Sequence, residues 1–294
     1  MTTTTQAVTA SSEPGYARRK ARTLIGWLSE QEGALCIAGR QMTQEPDPEH
    51  IARCREARAA VERRPEGLVQ DNIFQPLPEA LAAHVASLQA TPRTAQILAE
   101  AGEPRMVDLR VVCAAQPTIL AEEAANRVRD LVATDIPGIA ALTLPLYSPT
   151  TMPVAFNEHK NAWIFSSPNP NLRVAGRFTA EANGGVNVFG FAVEVGLSYL
   201  QVAGFNGRYF LRDGYHRAFG LLSAGIHFAP ALVKDYSAFE EIQMPQGLLP
   251  PPTYLGLRPP LLVDYLDPAV ATDTHVPVTT KMVVIQAIDL SSFA

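Results

Sequence analysis

The sequence predicts an α+β fold: a mostly helical first part, over residues 16–133, followed by a part built on a small mixed sheet, over residues 134–294. Three observations carry this. Residues 16–133 hold several stretches rich in Ala, Glu and Arg with few breakers. Near Asp135 the composition shifts to Pro, Gly, Val, Phe and Tyr. Beyond that point short apolar runs alternate with turn residues, the pattern of strands.

Taken in order, residues 1–15 are Thr/Ser-rich without an apolar period and read as a disordered tail. The spacing of Leu24, Ile25, Trp27 and Leu28 predicts a helix over 16–35. Asp47 followed by Pro48 is an N-cap with proline at the first helical position, opening a helix over 49–63 that Pro65 and Gly67 stop. Helices are predicted over 78–88, from Thr91-Pro92 to about 101, and over 121–132. Pro137, Pro145, Pro149 and Pro153 then punctuate a stretch of little periodicity. Strands follow at 163–166, 172–178, 186–194, 199–205 and 208–211, with Gly184-Gly185 as a hairpin turn. Asn206-Gly207 joins the last two strands, and its tolerance of positive φ at both positions makes it the strongest short hairpin signal. A helix then begins near Tyr215 and ends at Gly225, a strand covers 226–233, and a Pro-rich extension leads to a final strand over 281–290.

Composition narrows the function. With 24 Lys+Arg against 29 Asp+Glu the chain carries a formal charge of −5, which argues against nucleic acid as its main partner. Arg53, Arg55, Arg58, Arg63 and Arg64 are interleaved with Glu49, Glu56 and Glu62, the pattern of a solvated helix face. A nucleic-acid or partner contact through these N-terminal helices is the sharper alternative. No apolar run reaches the roughly 20 residues of a membrane span, and the first residues lack the order of a signal peptide, so a cytoplasmic protein is expected. Cys36, Cys54 and Cys113 have no CxxC spacing and read as small buried hydrophobes. The P-loop, GxSxG and HExxH patterns are all missing, and no metal-ligand spacing exists. Asn157-Glu158-His159-Lys160 reads as a polar surface turn.

The informative stretch is 208–233: strand, Asp213-Gly214-Tyr215-His216-Arg217, helix, Gly225, strand. A first helical turn has unpaired N–H groups and a partial positive charge, which suit an anion. A glycine lets a phosphate approach the backbone, an arginine forks onto its oxygens, and a histidine exchanges a proton near neutral pH. Asp213 could cap the helix, hold a hydroxyl or bind Mg²⁺. A structural account of the same residues is an N-cap, a turn glycine and a surface ion pair.

This segment resembles the ParB/sulfiredoxin-like superfamily, many members of which carry Asp-Gly-x-x-Arg at such a turn. The resemblance covers about thirty residues of the chain and implies that nucleotide phosphates sit at the turn. Tyr215 replaces the cysteine of sulfiredoxins. The Arg-Arg pair of the chromosome-partition branch is missing, and a Pro-rich chain follows instead of its DNA-binding domain. Asp213, Gly214 and Arg217 match the Asp-Gly-His-Thr-Arg turn of a free-serine kinase branch. The resemblance implies Gly214, Tyr215 and Arg217 as contacts to a nucleotide (ATP, ADP or CTP, with Mg²⁺ as an optional companion) and His216 or Asp213 as the group that handles proton or metal work. Glu194, an acid within an apolar strand, is a further candidate base. The expected activity is phosphoryl transfer or nucleotide hydrolysis on a nucleotide or phosphorylated small molecule. Two alternatives stand beside it: a non-catalytic interaction protein with a degenerate domain, and a nuclease whose basic surface would include Arg173, Arg208 and Arg212.

Overall fold

The computed structural model describes residues 17–39, 45–68, 70–147, 152–167, 169, 171–182, 186–245 and 247–287. The expected tail over 1–15 and the turn at Gly184-Gly185 lie outside the described residues. The chain begins with β1 (Arg18–Thr23), α1 (Glu30–Ala38), α2 (Pro48–Glu62), β2 (Phe74–Gln75), α3 (Ala82–Ala90) and α4 (Pro92–Ala101). It continues through β3 (Glu103–Asp108), β4 (Thr118–Leu120), α5 (Ala121–Val128), α6 (Ile136–Thr143), β5 (Val154–Asn157) and β6 (Ala162–Ser167). Next come β7 (Leu172–Ala182), β8 (Val186–Val195), β9 (Gln201–Phe205), β10 (Arg208–Asp213), α7 (Tyr215–Ser223) and β11 (Phe228–Asp235). A short α8 (Pro251–Tyr254), β12 (Thr272–Pro277) and β13 (Lys281–Gln286) complete it.

The α+β class holds. The central sheet is mixed, in the order β10-β9-β11-β3-β2. β9 runs parallel to β11, and the β10 and β3 pairings are antiparallel. Asn206 and Gly207 take φ of 51° and 72°, the positive values the hairpin needs. α7 carries the chain from β10 back to β11. Its apolar face, with Ala218, Leu221 and Leu222, is buried against Val202, Leu211 and Ala231 of the sheet.

Local signals decide several helices as expected. Asp47 Oδ1 accepts from the Glu49 backbone N–H at 2.9 Å, with Pro48 at the first helical position. Thr91 caps α4 in the same way, and its hydroxyl accepts from the Thr94 N–H.

Four expectations are corrected. The helix over 16–35 is instead β1, a single 3₁₀ turn at Ile25–Trp27, and α1, which starts behind a Ser29/Glu32 capping box. β1 lies between β12 and β4, and the Thr23 hydroxyl meets those of Thr118 and Thr274 at 2.9 and 2.8 Å. Ladder hydrogen bonds from both sides override the local helical spacing. Residues 16–133 and 134–294 are not built separately, because β3 pairs with β11 and β1 with β12. α6 occupies a stretch read as irregular: Asp135 Oδ1 accepts from the Gly138 N–H at 3.0 Å, and Pro137 sits in the first turn, where its missing N–H costs no hydrogen bond. The Pro-rich segment is no loose extension, since Tyr254 and Tyr265 on it are fully buried.

Two smaller units project less apolar surface inward. β5, β6 and β13 form one sheet and β7 and β8 a two-stranded ribbon. Phe156, Trp163, Phe178, Phe189, Phe191 and Met282 on them are exposed. Among the described residues no helix is long and apolar enough to cross a membrane.

A close backbone approach sets the position of α5. It packs on α7 at Gly220, where a Cβ would lie 2.6 Å from the Ala124 carbonyl oxygen. Gly220→Ala should therefore lower stability by about 1 kcal/mol. An overpacked methyl costs roughly 1–3 kcal/mol, partly offset by the near 1 kcal/mol gain in helix propensity. Urea unfolding midpoints of the variant and wild type check this, and an unchanged or raised midpoint would contradict the packing.

Candidate functional site

β10 delivers the chain to the turn, and Gly214 reverses it at φ 96°, ψ 21° before α7 begins. Only glycine adopts this conformation without strain. A Cβ here would meet Leu200 Cδ1 at 2.8 Å. The missing Cβ thus makes room for Leu200, while Gly214 itself lines the cleft described below. Gly214, not Asp213, is the N-cap of α7, with no side chain capping the helix. Asp213 instead accepts from the Gly214 N–H at 2.6 Å through Oδ1, and from the Ser198 hydroxyl at 2.8 Å through Oδ2.

Tyr215 is buried. Its hydroxyl donates to the Leu211 carbonyl at 2.6 Å and accepts from the Ala115 N–H at 2.9 Å. Burial pushes its phenol far above the ordinary value. The side chain ties the turn down, and Tyr215 also stands in the lining of the cleft described below.

Arg217 lies one residue beyond His216 in the first turn of α7. Its Nη1 donates to Ser198 Oγ at 3.0 Å, so Ser198 bridges Arg217 and Asp213. Its buried Nε has no hydrogen-bond partner. Among the described residues no carboxylate reaches it at ion-pair distance. Burial, then the charge of Arg127, lowers its pKa to about 10. His216 stands beside Glu123. Burial lowers its pKa, against the opposing pull of the Glu123 carboxylate. Glu123 bonds Arg127 at 2.5 Å and lies 3.9 Å from Arg19. Burial pushes the Glu123 carboxyl up, but the Arg127 hydrogen bond and the charges of His216, Arg127 and Arg19 outweigh it and hold it below the usual value.

Asp213, Gly214, Tyr215, His216 and Arg217 all line one open cleft of about 600 Å³. Glu123 and Arg127 reach it from α5, and Asn169, Asn171 and Tyr147 line its other side. Both charged α5 residues are there because Gly220 lets α5 approach α7. The volume falls within the roughly 300–1,000 Å³ of small-molecule sites.

Glu194 does not line this cleft. The β7–β8 register sets Arg173 opposite it, and the two pair at 3.1 Å. It is corrected from candidate base to partner of Arg173. The arginines of the expected basic surface are likewise engaged separately: Arg208 with the Tyr254 and Gly256 carbonyls, Arg212 with Gln201, and Arg173 with Glu194. Residues 158–160 form an exposed turn, with Asn157 accepting from the Lys160 N–H. Cys54 and Cys113 are buried, with thiols raised by burial to about 11 and about 12. Among the described residues no three His, Cys, Asp or Glu side chains cluster to hold a metal.

Sequence reasoning missed Ser198, Glu123 and Arg127. Glu123 and Arg127 carried a signal, an i,i+4 pair on one helix, but nothing local says which helix they face. Ser198 carried none.

Tyr215→Phe should cost about 1–3 kcal/mol, the penalty for leaving the buried Ala115 N–H without an acceptor. Chemical denaturation checks it; no loss would mean that the tether does not hold the turn. His216 makes a second prediction. Its folded pKa lies below the value of 6.5 it has when free, so the unfolded chain binds the proton first. The stability it contributes is whole above that pH and drains as the pH falls through its depressed pKa. Between pH 7 and pH 5, wild type should therefore lose more stability than His216→Gln. Parallel pH profiles would contradict the assigned direction.

Comparison of the chain with protein-family models, with curated proteins and with solved structures returned no match.

Proposed function

We infer that the cleft at the start of α7 binds the phosphate groups of a nucleotide or a phosphorylated small molecule. The observation that carries this is Arg217: a largely buried cation, without a carboxylate partner among the described residues and with an unpartnered Nε, beside an uncapped helix N-terminus. Burying a cation without its counter-charge is unfavourable, so the site is poised to gain from an anion. Free N–H groups of the first turn of α7 add donors for phosphate oxygens. The strand–turn–helix–strand order over 208–233 supports the likeness to the ParB/sulfiredoxin-like turn, and phosphoryl transfer or hydrolysis is the reaction class in view.

In this reading Arg217 and Arg127 neutralise phosphate charge, and Ser198 holds the Arg217 guanidinium in place. Asp213 keeps spare lone pairs that suit a Mg²⁺ ion whose other ligands are phosphate oxygens and water. His216, kept largely neutral, accepts a proton from an attacking hydroxyl or water. Such a site acts mainly by positioning and charge stabilisation.

A second reading, the non-catalytic interaction protein, draws on the exposed aromatic residues of β5–β8. Apolar surface of that kind is common where proteins meet partners.

A thermal-shift panel of ATP, ADP, CTP and GTP, with and without Mg²⁺, tests the phosphate reading. One nucleotide at about 100 times its Kd should stabilise wild type by about 2.7 kcal/mol, visible as a raised Tm. Arg217→Ala should abolish the shift. No shift with any of the four, or a shift equal in the variant, would overturn it.

A further inference from the structure

The cleft has a neighbour. A second cavity of about 590 Å³ lies on the other side of His216. Gln116, Glu123 and His216 line both, so these three side chains form the wall between them. The second cavity is built from different elements: the start of β1, β4, the end of β12 and the connection into β13.

We propose that this second cavity is a separate ligand site, for a small molecule with an apolar body and an anionic group, such as a short-chain carboxylate. Its lining has both halves of that chemistry. Ile119, Leu120, Val276 and Pro277 supply apolar surface. Arg19 supplies positive charge, beside the Glu123 carboxylate. The Glu123 carboxylate is already bonded to Arg127 at 2.5 Å and stands 3.9 Å from Arg19, so it neutralises Arg19 only in part. An arginine with a long, shared ion pair gains from a closer carboxylate, which can take the bidentate geometry Arg favours. The Thr279 and Thr280 side chains stand at the exposed edge of the cavity and can hydrogen-bond the same group.

The shared wall links the two sites. A carboxylate that draws Arg19 away leaves Glu123 to His216 and Arg127, which changes the charge facing the first cleft. Affinities at the two sites are then coupled, reciprocally. The coupling rests on the phosphate reading; binding in the second cavity does not.

The experiment is calorimetric titration of the full chain with hexanoate, and with 1-hexanol as its uncharged counterpart. Hexanoate should bind, and Arg19→Gln should weaken it by about tenfold, the loss of one charge-assisted contact near 1.4 kcal/mol. Thr280→Trp, at an exposed position, should fill the cavity and remove binding while circular dichroism stays native. Absence of hexanoate binding to wild type, or undiminished binding to Thr280→Trp, overturns the site. Equal affinity for hexanol overturns its anionic class. A lost nucleotide response with hexanoate binding intact overturns the phosphate reading alone, and the converse overturns this inference alone.

Discussion

The candidate site depends on one buried hydrogen-bonded seam, which joins the strand and turn at 209–215 to residues 112–116. The Cys113 N–H donates to the Tyr209 carbonyl at 3.0 Å, and the Leu211 N–H to the Cys113 carbonyl at 2.9 Å. The Tyr215 hydroxyl continues the seam to the Ala115 N–H. On its other side the same segment receives the Leu262 N–H at the Val112 carbonyl and donates from Ala114 to the Pro260 carbonyl. A buried donor left unpaired costs about 1–3 kcal/mol, so the seam behaves as a unit. It places the start of α7 relative to residues 112–116 and 260–262, and it holds the Tyr215 hydroxyl inward.

Charge in the site is set by that placement. Packing of α5 on α7 adds Glu123 and Arg127 to the two basic residues of the turn. Asp213 is engaged by Ser198 and the Gly214 N–H, and Glu123 by Arg127. Neither carboxylate closes on Arg217. The result is a partly desolvated cluster in which the cations are under-compensated, the condition under which an added anion is most favourable. His216 separates this cluster from the second cavity, so its protonation is felt on both sides.

The turn at 213–217 shows how one residue pattern admits two physical explanations. Gly214 looked like a phosphate-approach glycine and is required by positive φ and by contact with Leu200. Tyr215 ties the turn to Ala115 and Leu211 and also lines the cleft. Arg217 and His216 line the cleft, while the Tyr215 hydroxyl is held by Leu211 and Ala115.

The order of amino acids alone specifies the α+β class, the Asn206-Gly207 hairpin, the caps at Asp47 and Thr91, and the succession of elements across 199–233. Each of these is local: positive φ at a turn, a side chain accepting from an N–H two or three residues on, or an apolar period. Long-range pairing settles that Arg18–Thr23 is a strand, that β3 completes a sheet with β11, and that Glu194 belongs to Arg173. It also brings Ser198, Glu123 and Arg127 to the Arg217 cleft and opens two cavities on either side of His216. Those outcomes depend on which distant segments supply the missing hydrogen bonds and counter-charges, and nearest-neighbour chemistry does not encode the choice.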